Sequence, residues 1–275
     1  MPQMPPPASS PGRTGPSLMQ QQETGADPGR TPELPPHPVL PGHYASESER
    51  PAYVGRLFDA SARHYDWINT VLSLGTGVRY RKDALIRSGL VASMRVVDVA
   101  CGTGVITVQA ARIVGGADRV ISVDPSPGMR DEALRKRSIG AIDGTAENLP
   151  LPDSSADFLV MGYALRHVSD LLVAFREFAR VLRPGGRLLI LEITSPESRM
   201  GRGLLRFYLR GVIPAIMRLG SRSAQARDLM VYHWDSIQNC VRPSAILAAM
   251  ADSGFRECGR HVEVGIFSEY TGTRD

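Results

Sequence analysis

The chain has 275 residues, 43% of them hydrophobic, with a formal net charge of +4; that is enough apolar material for a sizeable core in one or two domains. No run of about 18 uncharged apolar residues occurs, which excludes a membrane-spanning helix. No compact apolar stretch opens the chain, so no secretory leader is expected and the predicted location is cytoplasmic. The three cysteines, Cys101, Cys240 and Cys258, are odd in number and far apart. They argue for a reducing compartment and against a disulfide framework, and no metal site is expected.

Residues 1–50 hold 12 of the 21 prolines and almost no large apolar residues. Such a segment is expected to be disordered, because it buries too little surface to offset its ordering entropy. The folded domain is expected over 51–275. From Tyr53 onward, Val54, Leu57, Phe58, Ala62 and Tyr65 follow helical spacing, and Ile68, Val71, Leu72 and Leu74 continue the stripe to Gly75. A second helix is predicted from Val78 to Ser88 with Gly89 as its stop.

The centre of the chain alternates strands and helices. Val96, Val97 and Val99 form a short β-branched strand that ends in Asp98-Val-Ala-Cys-Gly-Thr-Gly104, and an apolar helix follows over Val105–Val114. Strand, glycine turn and helix present helix N-terminal amides and bare backbone to a nucleotide-like ligand. A dinucleotide fingerprint fails here, since its third glycine would fall at Thr107. Arg119–Asp124 is a second strand ending in an acid, whose carboxylate suits a ribose diol. Pro125–Lys136 reads as loop and helix, Asp143–Asp153 as a turn-rich loop, and Ala156–Met161 as a fourth strand. The amphipathic stretch Leu171–Leu182, the turn Arg183-Pro-Gly-Gly186 and the strand Arg187–Ile193 follow. Pro243–Ala251 is a helix stopped at Gly254, and Gly259–Thr271 a closing strand pair. This alternation specifies an α/β, doubly wound, mostly parallel sheet that binds ligand at the carboxyl ends of its strands.

Between Ser198 and Arg227 the arginines 199, 202, 206, 210, 218, 222 and 227 occur without an acid. Leu205, Leu209, Val212 and Ile216 recur among them at three- and four-residue steps, and Pro214 should kink the helix. Basic plus apolar is the composition of an interfacial helix at anionic headgroups; a lid helix with solvated arginines fits equally well. The pI permits a nucleic-acid partner, but the basic charge is not interleaved with aromatics, so none is expected.

Together these landmarks resemble the ubiquinone/menaquinone biosynthesis C-methyltransferase family of class I S-adenosylmethionine-dependent enzymes, over roughly residues 53–270. The marks are Arg63-His-Tyr-Asp66 with Asn69; the Asp98–Gly104 turn; Val123-Asp-Pro-Ser-Pro-Gly-Met129; Thr145-Ala-Glu-Asn-Leu-Pro-Leu-Pro-Asp153; Ala164-Leu-Arg-His-Val168; Arg180–Arg187; and Leu191-Glu192. The resemblance implies a seven-stranded Rossmann-like sheet, N-terminal lid helices over 51–92 and a basic substrate cap over 198–235. It implies S-adenosyl-L-methionine as cofactor, held by Asp98, Ala100, Gly102, Thr103, Gly104, Thr107, Asp124, Pro125, Met129, Thr145, Ala146 and Gly162. Asp98 would serve the methionine ammonium, while Gly102 and Gly104 admit the ligand to the backbone. Thr145 stands where Asn or Asp is common in the family, Gly162 where serine is, and His167 where asparagine is.

Methyl transfer is an in-line displacement, so alignment supplies most of its acceleration. Carbon methylation of a phenolic ring also needs the ring oxygen polarised or deprotonated. Arg166 suits stabilisation of that phenolate or activation of a water, Tyr65 a hydrogen bond to the ring oxygen, and His167 a general base near neutral pH or else a helix-start residue satisfied by backbone. A small-molecule or lipid-like acceptor, peripheral contact with the inner face of a membrane through Arg199–Arg227, and a homodimer are the partners in view. Phospholipid N-methylation, secondary-metabolite O- or N-methylation, and non-catalytic cofactor binding are the rival readings. A nucleic-acid methyltransferase is disfavoured, since Met161-Gly-Tyr-Ala164 lacks the Asn/Asp-Pro-Pro-aromatic turn.

Overall fold

Four buried residues, Val96–Val99, make the central strand β1, because β-branched side chains pack on both faces of a covered parallel sheet. A computed structural model of the chain describes residues 33–196, 198–213 and 224–275, with backbone alone for 224–227. The strands are β1, β2 (Val120–Val123), β3 (Ala156–Gly162), β4 (Leu182–Ile193), β5 (Phe255–Glu263) and β6 (Phe267–Arg274). Their order is β2-β1-β3-β4-β6-β5; the first four run parallel, and β6 and β5 join antiparallel. Chain order reverses direction beside β1, which opens a crevice between the loops that follow β1 and β3.

The described residues thus contain six strands, not the seven expected. Beyond β2 only an isolated parallel bridge, Val123 to Ile142, continues the sheet. The stretch Gly140-Ala-Ile-Asp-Gly144 is too short and too rich in turn formers to extend that pairing.

The helices are α1 (Arg50–Leu72), α2 (Gly77–Arg87), α3 (Val105–Val114), α4 (Pro127–Arg137), α5 (Leu171–Val181), α6 (Arg199–Phe207), α7 (Ala224–Asn239) and α8 (Pro243–Asp252). Two cores cover the sheet. Alternate strand residues Val96, Phe158, Val160 and Leu189 meet α2 and α3 through Leu85, Ile106 and Ala110. On the other face Val97, Leu159, Leu188 and Ile190 meet Phe175 and Phe178 of α5 and Met250 of α8. Truncating either phenylalanine to alanine removes a fully buried ring, a change that costs about 3–5 kcal/mol.

The N-terminal expectation needs correction. Residues 33–50 are not a disordered head but a strap on the folded body. Asp170 caps α5 by accepting from the Leu172 and Val173 amides at 2.7 and 3.0 Å, and its second oxygen accepts from the Leu34 amide at 2.8 Å. The Val241 amide donates to Pro36. Arg50 is wholly buried and donates to the His37 carbonyl, the Val168 carbonyl and the Tyr44 hydroxyl. Composition misleads here because proline-rich backbone lacks donors and is satisfied by partners distant in sequence. Residues 1–32 lie outside the described residues.

α6 continues into a π-helical turn over Tyr208–Val212. The expected Pro214 kink, Ile216, Arg218 and Arg222 lie outside the described residues, as does the Arg227 side chain.

Candidate active site

The turn after β1 is built on left-handed backbone: Ala100, Gly102 and Gly104 have φ of +52°, +57° and +83°. Such angles favour glycine and strain an alanine, a cost found where geometry serves a ligand. The turn borders a cavity of about 530 Å³. Ala100 and Gly102 line it from the turn, and Asp124, Pro125 and Met129 from the end of β2 and the start of α4. Thr145 and Ala146 line it from the loop before β3, and Gly162 from the end of β3. Eight of the twelve predicted cofactor residues therefore share one chamber. A side chain at Gly162 would meet Ile106, so the methyl end of that isoleucine fills the space a serine would take.

Of the other four, Thr103 and Gly104 complete the turn, and Asp98 and Thr107 lie behind it. Asp98 is fully buried; its Oδ2 accepts from Thr107 Oγ1 at 2.6 Å, and Thr107 also contacts Ser122. Burial raises the Asp98 carboxyl to about 7, against the pull of the Thr107 hydrogen bond. Its Oδ1 is buried without a protein partner. Thr107 thus bonds Asp98 and does not line the chamber, where the resemblance implied a direct contact. Thr103 donates to Asp66, and a side chain at Gly104 would strike Ile139. Cys101, the neighbouring thiol, is held protonated by burial and by the charges of Asp98 and Asp124.

Asp124 accepts from the Gly102 amide at 2.7 Å and the Ser126 amide at 2.9 Å. Burial raises its pKa to about 6, while those amides pull it down. α1 lines the chamber with Val54, Gly55, Phe58 and Tyr65, and two of its acids tie it to the neighbouring loops and α4. Asp59 accepts from Ser126 Oγ and the Gly128 amide, and Asp66 binds Thr103 and Arg137. Sequence reasoning missed Asp59, which carries no motif of its own.

A second chamber of about 360 Å³ lies beside the first, and Tyr65 and Tyr163 line both. Tyr163 has a φ of +62°, a strained angle for an aromatic residue, and its amide donates to Leu191 at 2.6 Å. Polar groups of the second chamber include Tyr65, Asn69, Arg81, Arg166 and His233; its apolar groups include Leu72, Ile193, Leu205, Leu209 and Ile237. Burial holds the Tyr65 phenol above its ordinary pKa, with Arg166 pulling the other way.

The predicted neighbours Arg166 and His167 face different chambers. Arg166 is 2% exposed, and its Nη1 donates to both Glu192 oxygens at 2.9 and 2.7 Å. Its Nη2 donates to His233 Nδ1 at 2.8 Å. Burial opposes the charge on Arg166, but Glu192 outweighs it and keeps the guanidinium ionised. His167 lies against Tyr232 through Nδ1 at 3.1 Å. Burial first, then Arg166 and His233, hold its pKa well below the ordinary histidine value. The expectation of a base titrating near neutrality is therefore corrected: the ring is neutral and takes a proton only reluctantly. His233 was missed, since it lies 67 residues from Arg166 on α7 with no local signal.

An acid behind a glycine turn, a second acid at the tip of β2 and a chamber at the switch point define the site of class I S-adenosylmethionine-dependent methyltransferases. The residues fit that cofactor: the orphaned Asp98 oxygen suits a cationic ammonium, and the glycine turn leaves backbone open to the ligand. A methyltransferase of this kind from Aquifex aeolicus shares the fold, with a TM-score of 0.51 at 20% identity over 71% of this chain and 89% of that one. The chain belongs to the ubiE/COQ5 methyltransferase family, whose profile matches residues 45–274. The ubiquinone/menaquinone biosynthesis C-methyltransferase of Syntrophotalea carbinolica is 36% identical over 225 residues, 79% of this chain and 92% of the relative. The demethylmenaquinone methyltransferase of Mycobacterium sp. strain KMS is 38% identical over 194 residues, 70% and 81% of the two chains. The chain is thus an S-adenosylmethionine-dependent methyltransferase.

Proposed function

We propose that this enzyme methylates a ring carbon of a prenylated benzoquinol or naphthoquinol in ubiquinone or menaquinone biosynthesis. The observation that carries the reading is the second chamber, which shares Tyr65 and Tyr163 with the cofactor chamber and combines a polar cluster with aliphatic walls. A phenolic head with a hydrocarbon tail matches both parts, and the curated relatives are named for such acceptors.

Bound S-adenosylmethionine supplies an electrophilic methyl group on a sulfonium. The chain's own part is alignment and charge control. Asp124 meets the ligand at the chamber wall, Asp98 acts from behind the turn through its unpartnered Oδ1, and Asp59 and Asp66 hold α1 against the loops around the chamber. Tyr65, at the wall between the chambers, orients the acceptor's ring oxygen by hydrogen bonding, and the ionised Arg166 supplies positive potential where the phenolate forms. His167, neutral beside the cofactor chamber, shapes that chamber and excludes a second positive charge from it.

No helix among the described residues is long and apolar enough to cross a membrane. The acceptor's tail instead calls for peripheral contact, which we assign to α6. Met200, Leu204 and Phe207 lie at i, i+4 and i+7 and are 78%, 63% and 67% exposed, while Leu205 and Leu209 line the second chamber. Arg199, Arg206 and Arg210 are exposed beside that stripe and complement anionic headgroups. Replacing the three exposed apolar residues with serine should abolish sedimentation with phosphatidylglycerol vesicles; unchanged sedimentation refutes the assignment.

The decisive test is mass spectrometry of quinones from a strain lacking its own quinone C-methyltransferase. Restoration of the methylated quinone by this chain is the expected result. Persistence of the demethyl precursor, with cofactor binding intact, overturns the acceptor and favours lipid or secondary-metabolite methylation.

A further inference from the structure

Arg166 is deep in the acceptor chamber, yet its fork is largely spent. Nη1 is committed to Glu192, Nη2 to His233, and Nε is buried without a partner. A guanidinium only donates hydrogen bonds. A 2.8 Å contact from Arg166 Nη2 therefore requires His233 Nδ1 to be the unprotonated acceptor. A neutral imidazole with a bare Nδ1 carries its proton on Nε2. His233 lines the acceptor chamber, and Nε2–H is the one polar atom its ring still offers to a ligand there. Glu192, Arg166 and His233 form a directed series: the carboxylate anchors the guanidinium, the guanidinium fixes the tautomer, and the imidazole presents a donor polarised by the charge behind it.

We infer that His233 is a catalytic residue of this enzyme, donating Nε2–H to the acceptor's ring oxygen and stabilising the phenolate, with Arg166 as its positioning residue. The inference rests on the quinol reading of the acceptor. In the reaction the ring hydroxyl first loses its proton to solvent. The ortho carbon then bonds to the methyl as the carbon–sulfur bond breaks, and the thioether leaves with the bonding pair. Loss of the ortho proton restores the aromatic ring, and reprotonation of the oxygen leaves one proton released per turnover. His233 takes none of these protons; its hydrogen bond tightens as charge collects on the oxygen, which is how a fixed donor accelerates a step.

The test uses the full-length enzyme with S-adenosylmethionine and a short-chain demethylmenaquinol. His233→Ala should lower kcat about 10²–10³-fold, the loss found for a single oxyanion donor, with cofactor affinity unchanged by calorimetry. His233→Asn, whose carbonyl can accept from Arg166 while its amide donates, should recover most of that loss and keep the wild-type pH profile. An acceptor made more acidic by a ring halogen should shrink the His233→Ala defect, an effect that a merely structural role would not produce. His233→Asn as inactive as His233→Ala, or a defect independent of acceptor acidity, overturns the inference. Should His233→Ala fail to fold, nitrogen-15 spectra of wild-type histidines decide. Adding 1,4-dihydroxynaphthalene with S-adenosylhomocysteine should move the His233 Nε2–H proton downfield; a fixed signal overturns the assignment. Wild-type enzyme that transfers no methyl to any demethylquinol fails the acceptor reading instead, a separate outcome.

Discussion

Glu192→Ala would leave Arg166 charged, 2% exposed and without its counter-ion. Both Glu192 oxygens lie within 2.9 Å of Arg166 Nη1, and His233 offers only a neutral lone pair in compensation. Breaking one side of a buried pair costs about 3–5 kcal/mol, because the remaining charge keeps its desolvation penalty. A domain of this size loses roughly 2–4 °C of melting temperature per kcal/mol. The expected drop by differential scanning calorimetry is therefore about 6–20 °C. The double substitution Arg166→Met with Glu192→Leu removes both charges and should return most of that stability, while methyl transfer stays lost. A Glu192→Ala loss below about 1 kcal/mol, the size of a solvated pair, would refute the reasoning: Arg166 would then be hydrated and unable to fix the His233 tautomer.

Three further outcomes follow from the same structure. Burial raises Asp98 from 3.8 to about 7, so folding takes up a proton and stability falls as pH rises from about 4 through 7. Asp98→Asn should therefore melt above the wild-type apoenzyme at pH 8, with the gap closing toward pH 4, and should bind S-adenosylmethionine more weakly; a lower melting point at pH 8 contradicts this. His167 and His233 are both depressed, chiefly by burial, so they add stability above their unfolded value of 6.5 that is lost as pH falls below it. Their ring-proton NMR signals should not titrate between pH 8 and 6, and a midpoint there would sink the neutral assignment. Arg50→Met strands the His37 and Val168 carbonyls, at about 1–3 kcal/mol each. Limited proteolysis should then cut within 33–46, and an unchanged digestion pattern would show the strap to be held by other means.

The sequence by itself determined whatever is local. Val96–Val99, the Gly102 and Gly104 turn, the amphipathic α5 and the acids Asp98 and Asp124 are legible because strand period, helix period and turn chemistry act over a few residues. Eight of the predicted cofactor residues meet in one chamber because they lie at strand tips or in the loops and helix start that follow them, and a parallel sheet brings those ends together. Tertiary structure decided the rest. It turned a proline-rich stretch into a strap by supplying Asp170, Val241 and Arg50 as partners, and among the described residues it held the sheet to six strands, with Gly140–Gly144 pairing beside β2 only at Ile142. It moved Thr107 behind Asp98, and sent Arg166 and His167 to separate chambers. His167 shows the physical reason most directly. Its proton affinity is set by burial and by Arg166 and His233, and dielectric surroundings and through-space charge depend on residues that only folding brings near.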